Sequence, residues 1–302
     1  MSIPVIFDTD IGSDIDDTWA LGFLLRCPEL DVKLVTTDRG RPEYRAKLCC
    51  QVLAAGGRQD LPIGLGPDWQ GNTGQTRQEP CAAGYKLSSY KGEIIPDGVQ
   101  AIIDTILQSP DPITVIAIGP LPTIAEALRR EPAIAQNARF VGMHGSLRKG
   151  HKHNRDTIVA EANVVNDASA CEMVCTAPWP ITLTPIDSCG IVQLQGEKYR
   201  RVVESADPLA RTILTHYETW WKTGQNENLD QWRMASSILF DTVAVLLAFS
   251  EEMLVMEDLP VRITDDGFTV IEEGAKTIRC ATDWLDYASF EDLLVDRLTR
   301  NA

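Results

Sequence analysis

The stretch VIFDTDIGSDIDDTWAL, residues 5–21, decides how this chain is read. With Ile3 and Pro4 ahead of it, its apolar opening IPVIF has the length and composition of a buried strand. Gly12 permits a turn, and Asp16 and Asp17 open a helix that continues into apolar residues. A strand, a polar turn and a helix in so few residues start a βαβ unit. The alternation then continues through the strand VKLVTT (32–37), the helical EYRAKLCCQVLAAG (43–56) and a turn-rich stretch from Leu61 to Gly92. Beyond it come the helical VQAIIDTIL (99–107), the strand ITVIAIG (113–119), the helical LPTIAEALRR (121–130), the strand ARFVGMHG (138–145) and, after another helical piece, ITLTPID (181–187). Strands separated by helices of this length pair in parallel through crossovers. The expected fold is α/β, an open, doubly wound, mostly parallel sheet with helices on both faces, in one domain over residues 1–302. Ligands of such sheets sit at the carboxyl ends of the strands. That makes Asp8, Asp10, Asp38, Ile118 and Met143 positional candidates.

The 302 residues, 44% of them apolar, are enough for a substantial core. A formal charge of -15, from 28 basic and 43 acidic residues, repels phosphate backbones and anionic lipid heads, which argues against nucleic acid and membrane partners. The N-terminus has neither a basic leader nor an apolar run of bilayer length, so a cytoplasmic protein is expected. The eight cysteines form no CxxC pair and mostly fall in apolar runs, as buried thiols do. Two polar segments, Pro67–Lys91 and Ser146–Thr157, are open to use as active-site loops or as plain surface loops.

Between Asp8 and Asp17 stand five carboxylates, which repel one another strongly unless something cationic neutralises them. A hard divalent ion with oxygen ligands is the natural candidate. Asp14 has a plainer use as a helix cap, with Asp16 and Asp17 complementing the helix dipole, but capping needs no carboxylates at a strand end. An EF-hand is excluded, because Gly12 and Ser13 occupy the positions where its loop needs an oxygen ligand and then glycine. VIFDTD also imitates the strand end of haloacid dehalogenase-type phosphatases, a reading that predicts magnesium dependence and a covalent phosphate on Asp8.

The same run resembles the inosine-uridine preferring nucleoside hydrolase family, whose first strand ends in a DTDxG turn followed by an Asp pair. Here the turn carries two extra residues, so Asp16 and Asp17 match the pair. VTTDRGR (35–41), AIGPLPTIAEAL (117–128), FVGMHG (140–145), AEANVVNDASA (160–170) and SSILFDTVAVLLA (236–248) are similar, in order, to its later motifs. The resemblance implies calcium-dependent hydrolysis of the N-glycosidic bond of a ribonucleoside. Calcium would be held by Asp10, Asp17, Asp241 and the backbone carbonyl of Ile118. Asp10 would activate the attacking water, Asp16, Asn163 and Glu161 would hold the ribose hydroxyls, and Met143 would line the sugar pocket. Asp8 would brace the turn. A small-molecule nucleoside or other N-ribosyl partner and a homodimer or homotetramer are implied in the same way.

Three positions depart from the family. Phe240 stands where a proton-donating His often precedes the last calcium Asp, and Arg41 stands where Asn follows the glycine of the second loop. Arg41, with Arg39 nearby, is expected either to pair with Asp14 or to recognise an anionic group on the substrate. The segment from Trp69 to Tyr90 lacks an HG pair. His144, His151 and His153 are candidates for the missing acid or ordinary loop residues, and Glu161 with Asn163 has the plainer reading of a helix entry. Trp220, Trp221 and Trp232 are candidates for base stacking or for core packing. Loss of the acid at Phe240 leaves open a non-catalytic relative that binds ribosyl compounds.

Overall fold

A computed structural model describes residues 2–300 except Gln70, His153 and 225–229. Among the described residues the chain builds a ten-stranded sheet. Its centre is β1 (Ile3–Thr9), and β2 (Leu30–Thr37), β3 (Ile63–Gly64) and β4 (Ile94–Ile95) are added outward on one side. The chain then returns to the other side of β1 for β5 (Ile113–Ala117), β6 (Ala138–Met143) and β7 (Ile181–Thr184). All these neighbours are parallel. Loops leaving β1 and β5 therefore diverge, and this reversal of strand order opens a crevice at their carboxyl ends. The remaining strands are β8 (Leu254–Ile263), β9 (Thr269–Ile271) and β10 (Thr277–Trp284). The last of these joins β7 in parallel, while β8 and β9 complete that edge antiparallel.

Period-2 alternation sorts the strands between two cores. Val5, Phe7, Ile116 and Val141 face the helices Asp16–Leu24, Pro42–Ala55, Pro208–Thr223 and Tyr287–Thr299, whereas Ile6, Val115, Ala117 and Phe140 face Gly98–Gln108, Pro122–Arg130 and Ala168–Thr176. The eight thiols are all free, and every one but the half-buried Cys81 is buried. Among the described residues no helix is long and apolar enough to cross a membrane. The stretch from Leu61 to Gly92, read as turns, contains the two-residue β3, which with β4 just beyond it forms the other edge of the sheet. Two residues are too few to show a period. On β9, Thr269 reaches back toward the crevice: its hydroxyl accepts from Ser146 N–H at 2.9 Å and donates to Ser146 O at 3.0 Å.

The loops around the crevice converge on Arg45, which sits in the helix Pro42–Ala55 and is sealed from solvent. Its guanidinium donates to the main-chain oxygens of Asp10, Ile11 (2.9 Å), Arg39 (3.3 Å), Gly40 (2.9 Å) and Thr73 (2.8 Å). Arg39, Gly40 and Arg41 all have positive φ, at 59°, 67° and 50°, which is costly for the two arginines. Arg45 fixes that left-handed run by gripping two of its carbonyls. Replacing it with Met would orphan several buried acceptors at about 1–3 kcal/mol each. Urea unfolding of Arg45→Met should therefore show a loss of roughly 3 kcal/mol or more.

Candidate active site

At the strand-order reversal lies a cavity of about 150 Å³. Asp10 comes to it from the end of β1, Ile118 from β5, and Met143 from β6. The first turn of the helix Asp16–Leu24 supplies Asp16 and Asp17, and Asp241 precedes the helix Thr242–Leu247. Glu161 and Asn163 open the short helix Ala162–Asn166, and Phe240 completes the wall. Gly12, with φ of 107°, turns the chain between β1 and this helix where Tyr44 leaves no room for a Cβ.

Asp16, Asp17 and Asp241 are buried, and one carboxylate oxygen from each lies within 4.8 Å of the others. Burial first, then repulsion from neighbouring carboxylates, Asp10 and Asp14 among them, raises the proton affinity of all three well above that of ordinary carboxylates. Asp16 and Asp241 are close enough to share a proton, and Thr9 donates its hydroxyl to Asp17. Among the described residues no Lys or Arg forms an ion pair with any of the three. Anionic oxygens packed this closely suit a hard divalent cation. The Ile118 carbonyl accepts from Asn163 Nδ2 at 3.0 Å and still has a second lone pair. Asp10 is not one of the trio. Its Oδ2 accepts from Arg39 Nη1 at 3.1 Å, and Arg39 Nε donates to Asn72 O at 2.6 Å.

Glu161 serves as helix cap and cavity wall at once. Its carboxylate accepts from the N–H groups of Asn163 (2.8 Å), Val164 (3.2 Å) and Gly145 (3.2 Å), while burial pushes its pKa up to about 7. Asn163 Nδ2 also donates to Met143 O at 3.0 Å, so one amide ties the ends of β5 and β6 together.

Nine sequence-predicted site residues therefore line one cavity: Asp10, Asp16, Asp17, Ile118, Met143, Glu161, Asn163, Phe240 and Asp241. Arg41 does not. It is exposed, with Nε on Thr73 Oγ1 at 3.2 Å, because the left-handed turn at Gly40 sends the two flanking arginines different ways. The guanidinium in the cavity is that of Arg39. Asp14, on the cavity wall, accepts from Ile15 N–H, and the helix that follows has no side-chain cap. Asp8 is wholly buried against Thr36, away from the cavity wall, where a phosphorylated nucleophile would have to stand. Asp38 is also buried and accepts from Leu121 N, Thr123 N and Thr123 Oγ1, which fastens the helix Pro122–Arg130.

His144, the residue after β6, is buried and not on a surface loop: its Nε2 meets Gly119 O at 2.9 Å, and burial lowers its pKa to about 4. His153 lies outside the described residues, whereas His151 lines the cavity. Ser13, Ala162 and Ile186 are lining residues that the sequence reading did not single out, whereas Arg39 and His151, which it named beside Arg41 and among the acid candidates, line the cavity too. A second cavity of about 280 Å³ shares Asp14 and Phe240 with the first and is bordered by Tyr217, Trp220, Trp221 and Gln193. Trp232 is buried edge-on to Tyr217.

A doubly wound sheet with a switch-point cavity, a trio of buried carboxylates and an adjoining aromatic chamber is the arrangement of an α/β enzyme acting on a small polar molecule. The chain belongs to the inosine-uridine preferring nucleoside hydrolase family, whose sequence profile matches residues 5–292, and it is an N-glycosyl hydrolase. It is 25% identical to the pyrimidine-specific ribonucleoside hydrolase RihA of Citrobacter koseri, over 99% of this chain and 98% of that one. Its fold matches the plant nucleoside hydrolase PpNRh1 with a TM-score of 0.82 at 21% identity, covering 99% of both chains. The purine-preferring ribonucleoside hydrolase of Gardnerella vaginalis gives 0.77 at 18%, covering 98% of each.

A carboxyl group whose folded pKa is raised stabilises the protein fully below its unfolded value, about 4.3 for Glu, and that contribution is lost as pH rises through the folded value. For Glu161 this window ends at about 7. In chelator, the melting temperature should fall from roughly pH 5 to about pH 7.5. Saturating divalent cation should remove most of that fall, and Asp241→Asn should abolish the cation's effect.

Proposed function

We propose that the cavity hydrolyses the N-glycosidic bond of a ribonucleoside to ribose and free base, with calcium as the divalent ion. The observation that carries this reading is the placement of Asp10 beside the Asp16, Asp17 and Asp241 cluster at the strand-order reversal, with Asn163 and Glu161 facing it. In the proposed arrangement Asp10, Asp17, Asp241 and the Ile118 carbonyl hold the ion. When bound, calcium would supply positive charge that offsets the repulsion among these carboxylates and would offer vicinal hydroxyls a ligand position.

Asp16, Asn163 and Glu161 orient the ribose, and Met143 packs under it. As the bond to the base stretches, positive charge grows on the sugar ring, and the surrounding carboxylates stabilise it electrostatically. Asp10 takes the proton from the water that attacks the anomeric carbon. Arg39, on Oδ2 of Asp10, holds that carboxylate in one orientation. The aromatic chamber beyond Phe240 is the place for the base, with Trp220 and Trp221 on its wall. The relatives include one named pyrimidine-specific and one named purine-preferring, so base choice is read from the assay. A cytoplasmic setting suits eight thiols that form no disulfide. Light scattering is expected to find two or four copies of the chain together.

Reducing-sugar release from a panel of purine and pyrimidine nucleosides tests the proposal. Release should require calcium, and Asp10→Asn should lower it by about 10²–10⁴-fold. Ribose binding without release from any nucleoside would instead support the non-catalytic, ribosyl-binding reading.

A further inference from the structure

Breaking a bond between C1′ and a base nitrogen hands the bonding electrons to the base, and departure is slow unless the base is protonated as the bond lengthens. The carboxylates of the first cavity are gathered where a cation fits, and Phe240 beside them has no proton to give. His151 does. Among the described residues it is the one imidazole on the wall of either cavity.

His151 belongs to the loop after β6, and that loop is fastened at several points. Asp187 accepts the N–H groups of Leu147 and Arg148, both at 2.8 Å. Arg155 donates to Gly150 O (3.0 Å), Ile186 O (3.0 Å) and Asp187 O (2.6 Å), which pins the residue before His151 to the cavity wall. On the other side of His151, Lys152 Nζ donates to Gln193 Oε1 at 2.8 Å. Gln193 borders the second cavity, and its amide donates to Ser236 O at 2.8 Å in the segment leading to Phe240. Held this way, the His151 ring meets Phe240 edge to face, with centroids 5.8 Å apart and planes at 84°. Phe240 lines both cavities, so the imidazole stands near the passage from the sugar to the base chamber.

We propose that His151 is the acid that protonates the departing base, a role that rests on the hydrolase reading above. The C1′–N bond breaks with its electron pair going to the base, and the His151 N–H passes its proton to that base. Oxygen of the water bonds to C1′ while its proton goes to Asp10, and His151 is reprotonated from solvent. Partial burial makes this imidazole hold its proton less tightly than usual, which strengthens it as a donor.

The test compares wild type with His151→Asn on two substrates. One is the nucleoside that wild type cleaves fastest, and the other is p-nitrophenyl riboside, whose nitrophenolate leaves without a proton. The variant should lose about 100-fold or more of kcat on the nucleoside and stay within about threefold on the nitrophenyl riboside. Retained nitrophenyl riboside activity also shows that the variant is folded. Parallel losses on both substrates, or no loss on either, would overturn the acid role. If wild type cleaves neither substrate, the hydrolase reading fails and this inference falls with it.

Discussion

Arg45 carries the charge on which the geometry of the crevice depends. Five main-chain oxygens from the first loop, the second loop and the segment around Thr73 turn toward one guanidinium buried in the sheet-side helix. Loops of irregular backbone have no ladder partners for their carbonyls, and a buried carbonyl without a donor is costly. A planar group with five N–H donors meets that need in a way a lysine cannot. The left-handed turn at Arg39 to Arg41 and the placement of Asp10 both follow from this anchorage.

Around that anchor the site accumulates negative charge. Parallel strands bring Asp10 and the Ile118 carbonyl to the same level, and two helix starts deliver Asp16, Asp17 and Asp241 beside them. Removed from water, Asp16, Asp17 and Asp241 resist ionisation, and Arg39 pairs with Asp10 alone. The folded chain is thus poised to gain from a cation, and in the proposed reaction the same charge serves a substrate whose ring becomes positive. Stability and chemistry draw on one electrostatic arrangement.

Much of this was legible in the sequence because it is local. The central strands β1, β5 and β6 are largely apolar runs, and the carboxylates of the first turn sit close together in the chain. Asp241, Glu161 and Asn163 were found through motifs in their proper order. Arg39 and Arg41 flank one glycine and look equivalent in the sequence. A left-handed turn sends one to Asp10 and the other to solvent, and only the fold decides which. Arg45 stands in an apolar helical stretch, where a lone charge on the buried face was a signal left unused. His151 reaches the cavity through a loop tied down by Asp187, Arg155 and Gln193, contacts of 5 to 41 residues' separation that no spacing rule encodes. The hairpin of β8 and β9 lies beyond the last motif read as a strand.

That hairpin matters to the order in which the molecule becomes complete. Thr269 on β9 holds Ser146 at the root of the loop bearing His151, and β9 reaches the sheet only by pairing with β8, which pairs with β10. The carboxylates of the first turn emerge early from the ribosome, but the strand that seats the far wall emerges nearly last. A nascent chain can therefore bury its first strands long before it has a finished cavity, and a chain cut short after residue 268 would keep every carboxylate named above yet lack the strand that secures the loop.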